Sequence, residues 1–181
     1  MIERYTNPEM GNIWTLQHEF EVMLDVEIAA CEAMAELGEI PKAAAVNIRE
    51  KAHFELDRVK EIEKETNHDI IAFLTNVAEY VGDDSKYIHK GLTSSDVKDT
   101  ALGIMMKRSA ELIIDDLKKF REVLKRRAAE FKHTVCIGLT HGIHAEPMTF
   151  GLKLALWMSE IDRDIERVEH AKKIVSVGKL S

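Results

Sequence analysis

The sequence contains few of the residues that turn a chain sharply, with 9 glycines and 3 prolines among 181 residues. β-Sandwiches and β-barrels reverse direction often and use these residues in their turns. Their scarcity argues against such folds and favours long helices joined by few connections. The sequence therefore predicts an all-α fold.

Long hydrophobic runs and cysteines are also scarce. The longest stretch without Asp, Glu, Lys or Arg covers the 13 residues 133–145 and includes three histidines, whereas a membrane span needs about 20 mainly apolar residues. The first five residues carry no secretory pattern. Cys31 and Cys136 are too few for a disulfide framework. We expect a cytoplasmic protein with no membrane partner.

Positive charge is in deficit, because 25 Lys and Arg face 32 Asp and Glu, giving a formal net charge of −7. Proteins that coat nucleic acids neutralise phosphates with clustered Lys and Arg. The composition therefore disfavours a nucleic-acid partner.

Apolar residues recur at helical spacing along most of the chain. In the first half this spacing predicts helices over about 11–37, 41–53, 57–65 and 69–81. Gly38 follows the first of them as a C-cap, and Asp69 is placed to cap the last.

The second half predicts two much longer helices. Thr93 and Asp96 have the spacing of a capping box, and the apolar period behind them continues to about Lys132. An irregular segment over 135–146 follows, and Pro147 opens a helix to about Val175. Two helices of this length leave apolar stripes uncovered, because a bundle core usually needs about four. We expect further helices to complete this core.

Three polar segments interrupt the helical pattern, at 66–69, 89–96 and 138–147. They contain four of the eight histidines: His68, His89, His141 and His144. Imidazole exchanges protons near neutral pH, and hydroxyls and amides at a helix start bind anions. Together they suggest an anionic substrate that is held by helix N-termini and acted on by histidine.

Structural explanations compete with this one. The 93–96 cluster alone is an ordinary N-cap, and His68 beside Asp69 fits a capped turn. His141, His144 and Glu146 have metal-ligand side chains, but Gly142 and Pro147 interrupt any helical ligand face and nothing else completes a zinc site. We therefore expect no metal.

In this order and spacing, the three segments resemble the adenylosuccinate lyases, a family within the fumarase/aspartase superfamily. The run Thr-His-Gly-x-His-Ala-Glu-Pro at 140–147 is the most specific element. The similarity extends from residues 2–5 to 177–179. The resemblance implies a small N-terminal helical domain over 1–92, followed at 93–181 by the first long helices of the superfamily's central bundle.

The resemblance also implies an activity. The family cleaves a C–N bond by β-elimination and releases fumarate, from adenylosuccinate to give AMP and from the succinyl-carboxamide ribonucleotide (SAICAR) to give AICAR, in purine biosynthesis. It uses no metal or organic cofactor, and its partner is an anionic purine nucleotide. Its members are homotetramers whose active sites are each assembled from three subunits.

Site residues follow from the same resemblance. His141 corresponds to the general acid for the leaving nitrogen, and His68 to a second catalytic group that also contacts substrate. The implied substrate-binding residues are Arg4 and Tyr5 at the phosphate, Asn67, Asp69 and His89, Thr93 and Ser94 at a carboxylate, and Thr140 at the succinyl end. His144 and Glu146 would support them.

The sequence departs from the family at two positions and lacks one segment. Asn67 and Leu139 stand where the family usually has Arg. The family's catalytic base is a Ser in a Ser-Ser-x-Met-Pro-x-Lys-x-Asn-Pro segment, which these 181 residues do not contain. We therefore expect an N-terminal part of a lyase, inactive alone. The alternatives are a non-catalytic helical oligomerisation module and another fumarate-releasing lyase.

Overall fold

The computed structural model describes residues 2–181, which form seven α-helices and one two-stranded antiparallel sheet. The helices are α1 Pro8–Ile13, α2 Leu16–Leu37, α3 Lys42–Lys51, α4 Leu56–Thr66, α5 Asp69–Val81, α6 Ser94–Glu130 and α7 Phe150–Val175, and the strands are β1 Val135–Thr140 and β2 Ile143–Thr149. The predicted helical fold class is confirmed. Within the described residues, no helix is long and apolar enough to cross a membrane.

The chain divides into two compact units. The first contains the residues up to Met106 together with Ser176–Ser181, and the second contains Lys107–Val175. The boundary between them falls inside α6. The domain division after residue 92 stays a prediction about the whole protein.

The first unit is built around an aromatic cluster. Phe20 of α2, Phe54 and Phe73 of α5 lie with ring centroids 5.2–5.8 Å apart, and Phe73 is fully buried. Val97 and Met105, in the first turns of α6, join this core. The beginning of the longest helix is thereby held by the small helices that precede it in the chain.

The predicted helix over 11–37 is wrong at its start, because the helix is interrupted between the end of α1 and the start of α2. Thr15 caps α2 by accepting a hydrogen bond from the His18 N–H at 3.2 Å. Asn7 caps α1 in the same way, through Glu9 N–H at 2.9 Å. Side-chain caps of this kind outcompete the continuation of a helix. The C-terminal end agrees with the sequence, since Gly38 has a φ of 78° and caps α2.

The segment predicted as irregular is a β-hairpin. β1 pairs with β2 from Val135 opposite Thr149 to Thr140 opposite Ile143. Pro147 does not open a helix, because it lies in β2 opposite Ile137, and α7 begins at Phe150. A two-stranded sheet consists of edge strands only, and edge strands tolerate a proline.

The second unit leaves large apolar side chains exposed on both of its helices. Their exposed fractions lie between 41% and 61%: Ile113, Phe120, Val123, Leu152, Leu156 and Trp157. Such uncovered faces are expected of helices whose core needs further helices.

Candidate functional site

Three polar residues have left-handed backbone conformations. Within residues 2–181, the non-glycine residues with positive φ are Asn67 at 50°, His89 at 62° and His141 at 51°. This conformation costs an L-residue about 1–2 kcal/mol, and such strain tends to persist at functional sites. Each of the three polar segments that the sequence singled out contains one of these residues.

The first segment joins α4 to α5. Asn67 ends α4, with its N–H bonded to Glu63 O at 2.8 Å. His68, and not Asp69 as the sequence predicted, caps α5, because its Nδ1 accepts the Ile71 N–H at 3.4 Å. A ring nitrogen that accepts is unprotonated, so in the neutral imidazole the proton lies on Nε2. The His68 side chain is about half exposed.

Asp69 contacts a cation that the sequence analysis missed. Lys98 of α6 donates to Asp69 Oδ2, and Asp69 Oδ1 accepts the Ile70 N–H at 2.8 Å. The hydrogen bond from Lys98 lowers the pKa of the Asp69 carboxyl. Asn67 was the sequence signal that could have indicated Lys98. The family usually has Arg at this position, so its absence suggests that another residue supplies a positive charge nearby.

The second segment ends at the N-terminus of α6. Asp96 Oδ2 accepts the Thr93 N–H at 2.8 Å, so this half of the predicted capping box is confirmed. The buried Asp96 carboxylate also accepts Lys179 Nζ at 2.8 Å and the Ser181 N–H at 3.0 Å. The bond from Lys179 is the main cause that lowers the pKa of Asp96. Ser94 is the first residue of the helix.

His89 lies earlier in the same segment and is bound to a buried acid. Glu27 of α2 is fully buried, and its two carboxylate oxygens contact the ring and the backbone of His89. Burial raises the pKa of the Glu27 carboxyl, and the hydrogen bond to His89 opposes that rise. No local sequence signal points to Glu27, which lies 62 positions from His89.

The third segment is the hairpin, with Thr140 at the end of β1 and His141 at its tip. His141 and Gly142 are the two loop residues, and both have positive φ, at 51° and 74°. Positive φ at both central positions is the requirement of a type I′ hairpin turn. Thr140, His141, His144 and Glu146 are all exposed.

Arg4 and Tyr5 lie in a short 3₁₀ turn near the start of the chain. The Arg4 guanidinium carbon is 4.7 Å from the centroid of the Tyr5 ring, a cation–π distance. Tyr5 is 72% exposed. The pair therefore presents a positive charge and a hydroxyl to solvent.

The candidate residues are divided between the two units. Thr140, His141, His144 and Glu146 belong to the second unit, and the other candidates belong to the first. The described residues contain no group of three or more His, Cys, Asp or Glu that could hold a metal ion.

Comparisons with known proteins agree on one family. A family model described as "Lyase" matches residues 3–181. The chain is 51% identical over all 181 residues to an adenylosuccinate lyase of Bacillus subtilis and 54% identical to one of Synechocystis. It spans 42% of the length of each of these relatives.

Solved structures show the same fold. A fumarate lyase from Mesorhizobium superimposes with a TM-score of 0.90 at 29% identity, covering 97% of this chain and 42% of that one. A β-carboxy-cis,cis-muconate cycloisomerase from Acinetobacter calcoaceticus gives 0.88 at 27% identity, covering 96% of this chain and 42% of that one.

Proposed function

Because this chain belongs to the lyase family, we propose that the protein containing it is an adenylosuccinate lyase. It eliminates fumarate from adenylosuccinate to give AMP, and from SAICAR to give AICAR, in purine biosynthesis. The observation that carries this proposal is the identity of 51–54% over the whole chain to relatives of that name. The left-handed His141 within the family's most specific run supports it.

The reaction explains the kinds of side chain that the site contains. A base removes a proton from the carbon next to a carboxylate, and the resulting negative charge is stabilised by fixed donors. The C–N bond then breaks, its electron pair leaves with the nitrogen, and an acid protonates that nitrogen. The products are fumarate and the free amine. The base belongs to sequence outside these 181 residues.

His141 acts as the acid in this proposal. Its imidazole is exposed at the hairpin tip, and the paired strands on both sides hold its backbone. A two-residue turn between paired strands limits the movement of the His141 backbone, and catalysis by proton transfer requires a positioned donor. Thr140 precedes it in the chain and holds the succinyl end.

The first unit binds the substrate's anionic groups. Thr93 and Ser94 stand at the N-terminus of a 37-residue helix, where unpaired N–H groups and the helix dipole favour a carboxylate. Arg4 and Tyr5 contact the phosphate. The segment Asn67–His68–Asp69 orients the succinyl group, with His68 as a second catalytic group, and His89 contacts substrate in the same site.

The whole protein is proposed to be a cytoplasmic homotetramer with active sites shared between subunits. The exposed apolar side chains of α6 and α7 support this assembly. Two helices cannot cover such faces between them. Light scattering on the full-length protein measures the oligomer directly.

A spectroscopic assay of fumarate release tests the function. The full-length protein is expected to turn over adenylosuccinate, and the 181-residue chain is not, because it contains no base-bearing segment. An inert full-length protein refutes the lyase and favours a helical assembly module. Faster turnover of argininosuccinate than of adenylosuccinate assigns a different fumarate-releasing reaction.

The role of His141 has its own test. In the full-length enzyme, His141→Gln is expected to lower the chemical step at least about 100-fold, the usual loss for a general acid. His170→Gln is the matched control, because His170 is exposed on α7 of the same unit and carries no proposed role. A loss under about tenfold for His141→Gln removes His141 from the acid role.

A further inference from the structure

The buried carboxylate of Glu27 carries an inference beyond the residues that the family resemblance supplies. We propose that Glu27 is a positioning residue, which holds the imidazole of His89 in the orientation and protonation state that contact the substrate. The inference rests on the proposed function, in which His89 lies in the substrate site.

The contact between the two residues is close and double. Glu27 Oε1 lies 2.5 Å from His89 Nδ1, and Glu27 Oε2 accepts the His89 backbone N–H at 2.9 Å. The Glu27 side chain is 1% exposed and that of His89 18%. An unpaired carboxylate at such depth is strongly disfavoured. The location of Glu27 is therefore tolerated because His89 pairs with it.

Glu27 is ionised in this proposal, with His89 as the partner that offsets its buried charge. A carboxylate accepts hydrogen bonds and does not donate them, so Nδ1 of His89 then carries the proton. Nε2 is left for other partners, as an acceptor in the neutral ring and as a donor in the imidazolium. Fixing one ring nitrogen to define the role of the other is the usual way in which a protein prepares a histidine.

The backbone around His89 is fastened to α2 as well. Cys31 follows Glu27 by one helical turn, and its Sγ donates to Tyr87 O at 3.6 Å. The bond from His89 N–H to Glu27 Oε2 then holds a residue whose φ is 62°. Backbone strain of this kind persists only where the surroundings enforce it.

The two bonds to Glu27 have different consequences. A structural clamp for the turn would need only the bond to the backbone N–H. The second bond fixes the rotation of the imidazole ring and the nitrogen that carries its proton. Both determine how Nε2 can contact the substrate. A positioning role accounts for both bonds, and a clamp on the backbone alone accounts for one.

Kinetics of the full-length enzyme test the inference. Glu27→Gln keeps the side-chain shape and one accepting oxygen, but it removes the charge that fixes the ring. We expect KM for adenylosuccinate to rise about tenfold, with kcat changed less than about threefold, because His89 is assigned to binding. The double variant Glu27→Gln/His89→Gln is expected to match His89→Gln alone, since both changes act through one imidazole.

Glu32→Gln is the matched control. Glu32 lies on the same helix, is exposed and pairs with Arg49 at 2.7 Å. Its replacement also removes one carboxylate from α2, and KM is expected to stay within about twofold of the unmodified enzyme.

Each other outcome counts against a defined part of the argument. If His89→Gln raises KM and folded Glu27→Gln does not, the positioning role is overturned and the proposed function stands. Effects that multiply in the double variant also overturn it. If His89→Gln leaves KM unchanged, His89 leaves the substrate site and the role of Glu27 fails with it, while the assignment of His141 is unaffected.

A second measurement needs no variant of Glu27, so it remains decisive if Glu27→Gln does not fold. Nitrogen-15 NMR of the histidine-labelled enzyme, with the His89 signals assigned by their loss in His89→Gln, reports the tautomer. The expected result is a proton on Nδ1. A neutral ring protonated on Nε2 overturns the inference.

Discussion

Gly151, the second residue of α7, is the position where the packing of the hairpin can be tested most sharply. A Cβ at this residue would lie 2.5 Å from Ala128 O, 2.6 Å from Lys132 Cα and 2.7 Å from Lys132 N. All three are backbone atoms, which cannot rotate away. The Gly151 N–H also bonds to Phe131 O at 3.0 Å, so the base of the hairpin that carries His141 depends on this close approach.

The magnitude follows from two opposing effects. Forcing a methyl group into a packed region costs about 1–3 kcal/mol, and the upper end applies because the neighbours are backbone. Replacing glycine by alanine in a helix returns at most about 1 kcal/mol. The net expectation for Gly151→Ala is a loss of about 2 kcal/mol in local stability, with reduced turnover because His141 is misplaced.

Hydrogen exchange read by mass spectrometry on the full-length protein measures this loss. A change of about 2 kcal/mol in local unfolding accelerates exchange of the hairpin amides about 30-fold. Gly38→Ala is the control. Gly38 has a φ of 78°, so alanine is strained there, although a Cβ at this residue would meet no other atom within 4 Å. Because this strain arises in the other unit, hairpin exchange should stay unchanged. Unaltered or slower hairpin exchange in Gly151→Ala would refute the steric reasoning.

Three further predictions concern the candidate site. Lys98→Met in the full-length enzyme should raise KM about fivefold, the equivalent of about 1 kcal/mol for an exposed charge, and Asn67→Arg added to that variant should restore it by supplying another cation. Lys98 lowers the pKa of the Asp69 carboxyl. The ion pair therefore stabilises the fold above the ordinary Asp pKa of 3.8, and this stabilisation is lost as pH falls through the lower pKa of the folded state. Acid unfolding of Lys98→Met should occur at a higher pH than that of the unmodified protein. His141→Asn should keep the thermal midpoint, since Asn suits a left-handed turn, while turnover falls at least about 100-fold.

The long helices could be predicted because their signals are local. The apolar period behind Thr93 and Asp96 predicted a helix that continues to about Lys132, and α6 runs over Ser94–Glu130. α5 runs over Asp69–Val81, in agreement with the predicted range 69–81, and Gly82 follows as its C-cap. Helix periodicity and caps are read from residues within a few positions of one another, so no knowledge of tertiary contacts is required.

The hairpin could not be predicted in the same way. Strand pairing joins Val135 to Thr149 across the turn, so it depends on residues that are distant in the sequence. β1 has only six residues, and its short apolar pattern, interrupted by a glycine, is too weak to predict a strand. Pro147 pointed to a helix start, because proline is common there. Its position in a two-stranded ribbon, where an N–H can be spared, was visible only once the pairing was known.

For the candidate site, the sequence could identify the residue types but not their partners. His68, His89 and His141 were visible as polar interruptions of helical segments. Glu27 and Lys98 were not, because they lie 62 and 29 positions from the residues that they contact. Each reads in sequence as one more charge on an amphipathic helix, a pattern that usually indicates a solvated face.

The strain at the three left-handed residues connects these observations. Glycine would relax the backbone at each of these positions, yet the chain carries a side chain there, and each is held by a specific neighbour. Asn67 is bonded to Glu63 O, His89 to Glu27, and His141 lies between paired strands. Asn and His adopt this conformation more readily than most residues, and the neighbours that bond to them enforce it further. The placement of His89 and His141 therefore depends on Glu27 and Gly151 as well as on the turns themselves.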